Sequence, residues 1–186
     1  GIETVRPLKD GVIADYKMTD AMIGGFIRKI NLSRISRPRM VICVPSGVTD
    51  VEQRSVAEAA LHANASEVYL IDEPMAAAIG IGIDVGAPYG NMIVDIGGGT
   101  TEIAVISLNG IGTLQTMKIA GDEQTHAIKS WFKEQHKLEI GERTAEKIKC
   151  SVGSALRTKG KLIQVKGRDQ ITGIPKTIEV SSDEIR

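Results

Sequence analysis

Three consecutive glycines, Gly97, Gly98 and Gly99, are the residues of this sequence best suited to binding an anion. Because glycine has no Cβ and tolerates positive φ, the backbone N–H groups of such a run can converge on a phosphate. The run lies between two apolar segments and lacks the lysine and following helix of a P-loop, and the following helix of a dinucleotide fingerprint. It therefore predicts a hairpin between two strands that grips phosphate groups.

Asp95 precedes the glycines by two residues, at the end of the apolar segment Met92–Ile96. A carboxylate among apolar neighbours is costly to bury without a partner, and beside a phosphate site that partner would be Mg²⁺, bound directly or through water. Thr100 and Thr101 add hydroxyl groups that can touch phosphate or position a water. The alternative is a glycine-rich turn whose aspartate is simply hydrogen-bonded. The combination favours a site, since ionisable groups in such surroundings often mark one.

A second acidic pair, Asp72 and Glu73, lies before Pro74 at the predicted carboxyl end of a short buried strand. Ligands of open α/β sheets bind at that edge, so a carboxylate there can orient or deprotonate a hydrolytic water. Equally, both acids can do no more than favour the positive N-terminus of the following helix.

A third candidate is the pair Glu146 and Lys149, which share one face of a predicted helix at i, i+3. From composition alone, this charged segment is typical of a solvated helix face.

Alternating strands and helices are predicted around these candidates from the pattern of apolar residues. The run Met40–Pro45 predicts a strand buried on both faces, as in parallel sheets. Thr49 and Glu52 form a capping-box pattern that starts a helix. The other predicted elements are a helix capped by Thr19 with Met22, Phe26, Ile27 and Ile30 on its apolar face, strands over 68–71, 92–96 and 102–108, an Ala-rich helix over 75–80, a hairpin turn at Asn109 and Gly110, helices over 122–137 and 142–156, and a final hairpin of 161–166 with 176–180.

The composition limits the possible functions. The chain has 186 residues, with 23 Lys and Arg against 23 Asp and Glu, which excludes a nucleic-acid binder that works through bulk positive charge. Cys43 and Cys150 lie far apart in the sequence, and we expect both to be buried thiols. No apolar run approaches the roughly 20 residues of a membrane span. Ser181 and Glu184 form another capping-box pattern near the last residue, and we expect the chain to be a piece of a longer protein.

Taken together, these motifs resemble the actin–Hsp70–sugar-kinase superfamily and, within it, the MreB family of bacterial actin homologues. The resemblance covers nearly the whole chain. It is carried by 10–16, Val44–Pro45 with 49–52, 72–80, 95–102 and 141–149.

The resemblance implies an α/β, actin-like (ribonuclease H-like) ATPase fold, which we expect to be incomplete at both ends. Residues 1–80 would form part of a first large subdomain, 81–120 part of a second with the phosphate-binding hairpin, and 121–186 a truncated small lid subdomain. The implied cofactors are ATP and Mg²⁺. The implied site residues are Asp95 near the metal, Gly97, Gly98 and Gly99 at the β- and γ-phosphates, Glu73 and Thr100 at the attacking water with Glu73 as the base, and Glu146 and Lys149 at the adenosine.

The implied function is that of a cytoskeletal protein which polymerises into filaments with itself at the inner face of the bacterial membrane, in the cytoplasm. It would direct rod shape through the cell-wall elongation machinery, with no nucleic-acid partner and with slow hydrolysis coupled to assembly; we expect the piece alone to be inactive. Leu32 and Ile35, among basic residues, match a membrane-insertion loop of the family. An ordinary exposed basic loop is the alternative.

Two other functions exist on the same fold. A small-molecule kinase would need an additional acidic base near the Gly97 hairpin, and the sequence reveals none. An Hsp70-type chaperone ATPase would need a peptide-binding domain beyond residue 186.

Overall fold

This computed structural model describes residues 5–9, 12–13, 15–30, 37–156 and 160–186. The chain forms two compact units, Gly1–Ala120 and Gly121–Arg186. The elements of the first unit are β1 (Leu8–Lys9), β2 (Val12–Ile13), α1 (Tyr16–Ile30), β3 (Arg39–Val44), α2 (Asp50–His62), β4 (Glu67–Asp72), α3 (Glu73–Gly80), β5 (Asn91–Ile96), β6 (Thr101–Ser107) and β7 (Gly110–Met117). Those of the second unit are α4 (Gly121–His136), β8 (Leu138–Glu139), α5 (Glu142–Val152), β9 (Leu162–Asp169) and β10 (Pro175–Ser181).

Strands β3 and β4 pair in parallel, with α2 between them in the chain, as the apolar runs predict. The start of α2 is fixed by the predicted capping box: the Thr49 hydroxyl accepts from the Glu52 N–H, and the Glu52 carboxylate accepts from the Thr49 N–H at 2.8 Å. The prediction that β3 is buried on both faces is wrong. Val44 is 5% exposed but Val41 is 69% exposed, because the described part of the chain covers only one face of this strand.

Helix α1 begins three residues before the predicted cap. Asp15 accepts a hydrogen bond from the Met18 N–H at 3.0 Å, as a capping residue does. Thr19 instead lies inside the helix, buried, and its hydroxyl donates to the Asp15 carbonyl at 2.8 Å. The predicted apolar face is only partly used, since Ile27 is buried while Phe26 and Ile30 are exposed.

Strands β5, β6 and β7 form an antiparallel sheet, and α3 packs on it. The shared core consists of Ala78 from α3 with Ile93, Ala104 and Ile106 from the sheet. The turn between β6 and β7 is the predicted one, with Asn109 at φ 61°, a left-handed conformation that asparagine tolerates well. Because this core joins residues on both sides of position 80, the division of the first unit into two subdomains stays a prediction.

The second unit packs α4 and α5 on the antiparallel sheet β10–β9–β8. Its core is built around Phe132, Leu138, Ile148, Val165 and Val180. Helix α5 ends at Val152, four residues earlier than predicted, and its cap is Gly153.

Both cysteines are exposed, so the prediction of two buried thiols is wrong. Cys43 lies on the uncovered face of β3, and Cys150 lies on α5, where its Sγ is 3.4 Å from the Glu146 Oε1. Hydropathy correctly predicts the strand and the helix that contain these two cysteines. Whether a cysteine is exposed depends on what packs against its face of the strand or helix.

Candidate functional site

The predicted glycine hairpin is present between β5 and β6. The Gly97 N–H donates to the Thr100 carbonyl at 2.9 Å, which closes the turn. Gly97 and Gly98 are exposed, while Gly99 and Thr100 are partly exposed, so the backbone of the run is open to a ligand. Among the described residues, the glycines with left-handed φ are Gly82 and Gly173, so this turn does not depend on that conformation.

Position 97 therefore favours glycine because there is little space for a Cβ. A Cβ at that position would lie 3.3 Å from the Thr100 carbonyl oxygen, closer than side chains usually approach. The sequence predicts the turn correctly, but the freedom to adopt positive φ is not what the turn uses.

Asp95 lies on β5, at the end that leads into this turn. The register pairs it with Glu102 on β6, and the two side chains share the sheet face that carries Ile93 and Ala104. Asp95 is half-buried, whereas Glu102 is only 1% exposed. Two carboxylates thus meet on one face beside the glycine turn.

Glu102 is held by three neutral donor groups. Its Oε1 accepts from the Ser46 N–H at 3.0 Å and from the Thr116 hydroxyl at 3.1 Å, and its Oε2 lies 3.5 Å from the Ser46 Oγ. Ser46 belongs to the turn after β3, and Thr116 lies opposite Glu102 on β7. This carboxylate therefore ties the turn after β3 to the β5–β6–β7 sheet.

Glu73 begins α3 directly after β4. Partial burial, followed by the negative charges of Glu102 and Asp95, raises the pKa of the Glu73 carboxyl above its usual value. Asp72 occupies the N-cap position of α3 but makes no capping hydrogen bond with its side chain. The alternative that both acids only stabilise the N-terminus of α3 is therefore less well supported. With its raised pKa, Glu73 is suited to accept a proton.

The acids around the turn fit a cation that is also bound by phosphate. No group of three or more His, Cys, Asp or Glu side chains in the described ranges is arranged to hold a metal by itself. Mg²⁺ normally takes only one or two protein carboxylates and completes its shell with water and substrate phosphates. Half-buried Asp95 beside an open backbone turn suits this type of binding.

In the second unit, Glu146 and Lys149 form an ion pair of 2.7 Å and also contact α4. The Thr125 hydroxyl is 2.6 Å from the Glu146 carboxylate, and the Lys149 ammonium donates to Thr125 at 3.1 Å and to the Gly121 carbonyl at 2.9 Å. The hydrogen bonds that Glu146 accepts from Lys149 and then from Thr125 lower its pKa to about 2. The pair joins α5 to the first turn of α4, so it is not a merely solvated helix face.

Lys149 also lines a groove beside α4 and α5. The other lining residues include the apolar Ala127 and Ile128 and the polar Gln124 and Ser154. The groove thus presents both apolar and polar groups, as pockets for small ligands do.

Two residues of these sites are not identified from the sequence. Glu102 is an additional acid next to the Gly97 hairpin, a place where the sequence alone reveals no further acid. Its alternation with Ala104 and Ile106 was the available signal, since residues two apart on a strand face the same side. Thr125 left no such signal, because its role depends on packing between α4 and α5.

The predicted membrane loop with Leu32 and Ile35 lies outside the described residues. Elsewhere in the chain, the described helices include none that is both long and apolar enough to cross a membrane.

Comparison with known proteins gives consistent matches along the chain. The MreB/Mbl protein family matches residues 1–186. The cell shape-determining protein Mbl of Bacillus subtilis (strain 168) is 48% identical over 186 residues, which cover 99% of this chain and 56% of that protein. The cell shape-determining protein MreB of Escherichia coli (strain K12) is 46% identical over 187 residues, covering 99% of this chain and 54% of that protein. The chain thus spans about half the length of the curated relatives it matches.

Solved structures agree with the fold. The crystal structure of Spiroplasma citri MreB5 bound to ADP superposes with a TM-score of 0.93 at 34% identity, over 99% of this chain and 56% of that one. A MamK double helical filament superposes with a TM-score of 0.80 at 20% identity, over 97% of this chain and 55% of that one. The predicted α/β actin-like fold is confirmed.

Proposed function

The chain belongs to the MreB/Mbl protein family, and on that premise we propose that the protein containing it is an ATP-binding, actin-like cytoskeletal protein. In this proposal it polymerises into filaments at the inner face of the bacterial membrane and maintains cell shape through cell-wall synthesis. The curated relatives are named as cell shape-determining proteins, and one similar structure is a MamK filament, which supports this role.

The observation that carries the proposal is the arrangement around the β5–β6 turn. An open glycine backbone, a half-buried aspartate and a glutamate with a raised pKa belong to the same compact unit. Backbone N–H groups suit phosphate, the aspartate suits a metal bound to that phosphate, and the glutamate suits proton transfer. This combination fits nucleotide hydrolysis better than it fits a purely structural turn.

ATP with Mg²⁺ is the proposed ligand. Solved structures of the related MreB5 carry ADP or AMPPNP, which supports an adenine nucleotide here. Gly97, Gly98 and Gly99 would receive the β- and γ-phosphates, with Gly98 and Gly99 as the N–H donors because the Gly97 N–H closes the turn. Asp95 would hold the metal directly or through water. The metal would neutralise phosphate charge.

Glu73 is the proposed general base. Its raised pKa brings the carboxylate closer to the working pH, where an ionised base transfers protons best. Thr100 would help to orient the attacking water next to the phosphates. Hydrolysis would be slow and coupled to assembly.

Contacts with the adenosine are a further part of the proposal. We assign these to Glu146 and Lys149 because of the resemblance, and the groove beside Lys149 supports the assignment with its apolar and polar lining residues. In the free chain, the three N–H groups of the Lys149 ammonium already have three acceptors: Gly121, Thr125 and Glu146. A hydrogen bond from Lys149 to the nucleotide would therefore replace one of these bonds. The exposed Glu146 carboxylate, whose Oε1 lies 3.4 Å from the Cys150 Sγ, keeps lone pairs for a further donor.

Membrane attachment is proposed through the segment with Leu32 and Ile35. The described residues just before it support the idea: Phe26 and Ile30 are exposed apolar side chains, and Arg28 and Lys29 are exposed basic ones. Apolar and basic groups on one helix end suit an anionic lipid surface. The cell-wall elongation machinery is the proposed protein partner.

The proposal is tested with the complete protein that contains this chain. We expect sedimentation with Mg-ATP to pellet filaments that are visible by electron microscopy, and much less protein to pellet without nucleotide. Vesicles with anionic lipid should carry the protein down more than neutral vesicles do. A protein that stays soluble in every nucleotide condition would contradict the filament proposal.

A further inference from the structure

Glu102 is a buried carboxylate to which the proposed function gives no task. With 1% of its surface exposed, it is among the most buried large side chains in the described structure. Removing an ionised carboxylate from water is costly unless hydrogen bonds or charges compensate. Its described partners are the Ser46 N–H, the Ser46 hydroxyl and the Thr116 hydroxyl, all of them neutral. A neutral amide can also accept from these donors, so hydrogen bonding alone does not explain why the residue carries a charge.

The location of Glu102 suggests what the charge is for. It lies opposite Asp95 on the neighbouring strand, one residue after the pair Thr100 and Thr101. Its oxygens reach across to Ser46, in the turn at the carboxyl end of β3. That end of β3 pairs with Asp72, the residue just before Glu73. Glu102 thus lies opposite the metal acid, on the strand that follows the phosphate turn, and contacts the turn after β3. Strand β3 in turn pairs with β4, which leads into the proposed base.

We propose that Glu102 is a positioning residue of the hydrolysis site, which ties the turn after β3 to the sheet carrying Asp95 and the glycine run, and which places a negative charge near Glu73. The inference rests on the proposed function, since it assigns a role within that same site. Glu102 would set the geometry and the charge of the site without touching the reacting atoms.

The charges around Glu73 support the second half of this proposal. Glu102 on β6 and Asp95 on β5 both raise the pKa of Glu73, after the effect of burial. From β4, the neighbouring acid is Asp72, and Glu67 lies at the opposite end of the strand. From β3, Arg39 pairs with Glu67 at that same far end, five residues from Val44, or roughly 16 Å along the strand. Cys43 is the remaining ionisable group of β3.

The charge is tested by Glu102→Gln in the complete protein. The amide keeps the shape and the oxygen that accepts from Ser46 and Thr116, and its NH₂ can donate to the Ser46 hydroxyl. It removes one negative charge that raises the pKa of Glu73. Since the base must be ionised, we expect the acid limb of the pH–rate profile for phosphate release to move to lower pH. Nucleotide affinity should not change.

The tether is tested by Glu102→Asp, which keeps the charge but withdraws the carboxylate by one methylene from Ser46. We expect the acid limb to stay close to that of the parent while kcat falls by about tenfold or more, because small misplacements of reacting groups are costly. Thr116→Val is the matched control: it removes one donor while leaving the charge and the Ser46 contacts, so the acid limb should not move to lower pH.

The outcomes separate this inference from the proposed function. If the parent hydrolyses no Mg-ATP, the proposed function itself fails. If the parent hydrolyses it, an acid limb of Glu102→Gln at the parental pH, or a parental kcat for Glu102→Asp, overturns the role of Glu102. Should the Gln variant fail to fold, as judged by its circular dichroism, the rate of the Asp variant decides.

Discussion

Asp95 and Glu102 face one another across the antiparallel strands β5 and β6, on the sheet face that carries the core of the first unit. Like charges directly opposite each other destabilise a strand pair. The cost is reduced because Glu102 accepts hydrogen bonds from Ser46 and Thr116 and Asp95 keeps partial access to solvent. A bound cation at Asp95 would reduce it further, which links this arrangement to the proposed Mg²⁺ site.

Replacing Asp95 tests that link. We expect Asp95→Ala to weaken binding of Mg-ATP by about tenfold or more, the scale on which groups that hold or orient a metal act. Titration calorimetry with and without Mg²⁺ measures the effect. Asp84→Ala, in the exposed loop before β5, is the matched control and should bind as the parent does. Equal dependence on Mg²⁺ in Asp95→Ala and the parent would remove Asp95 from the metal site.

Replacing Glu73 tests the assignment of the base. We expect Glu73→Ala to bind nucleotide nearly as well as the parent while phosphate release falls by about two to four orders of magnitude, the usual contribution of a general base. Glu58→Ala, an exposed acid on α2, serves as the control. If the Glu73 variant released phosphate at the parental rate, another group would have to be the base.

Acid stability of the second unit should depend on Glu146. Its pKa is lowered from 4.5 to about 2 by Lys149 and Thr125, so the unfolded chain binds a proton more readily than the folded one. The stabilisation is therefore complete above about pH 4.5 and is lost as the pH falls toward about 2.

Thermal midpoints between pH 2 and pH 6 measure this effect. We expect Glu146→Gln to melt lower than the parent at pH 6 and to show a shallower loss of stability on acidification. Glu134→Gln, on an exposed part of α4, should follow the parent curve. Parallel curves for Glu146→Gln and the parent would show that ionisation of Glu146 does not account for the loss of stability on acidification.

Gly167 is a position where packing requires glycine. A Cβ there would lie 2.6 Å from the Glu139 carbonyl oxygen and 2.8 Å from the Leu138 Cγ, so β8 would have to move. We expect Gly167→Ala to lower the free energy of unfolding by about 1–3 kcal/mol, as overpacking does. Gly160→Ala is the control, since its Cβ would meet only Asp183 at 4.0 Å. Chemical denaturation of both variants measures the difference, and equal loss in the two would disprove the packing account.

The sequence predicts a helix start or a turn well where the contacts that form it lie within a few residues of one another. The capping box of Thr49 and Glu52 and the turn at Asn109 form as expected, because their contacts span only a few residues. The start of α1 was misplaced because both Asp15 and Thr19 can cap a helix, and only tertiary packing decides that Thr19 is buried. The exposure of Val41 and Cys43 depends on what covers the sheet, which hydropathy does not report.

In the candidate site, too, the residues that lie close together in the sequence are predicted, and those brought together by tertiary packing are not. The sequence predicts Asp95 and the glycines as candidates because their chemistry is concentrated in a few consecutive residues. Glu102 was missed because its partners, Ser46 and Thr116, are 56 and 14 residues away in the chain. Its role arises only when three elements come together.

Phosphate release measured against protein concentration shows whether ATP hydrolysis by the complete protein is coupled to filament assembly, as we propose. In Mg-ATP, we expect almost no release until the concentration at which protein first pellets, and then release in proportion to the pelleted protein. Release proportional to total protein without any pellet would disprove this coupling. Consumption of ATP only after a small hydroxylated or carboxylated substrate is added would identify a kinase on this fold instead.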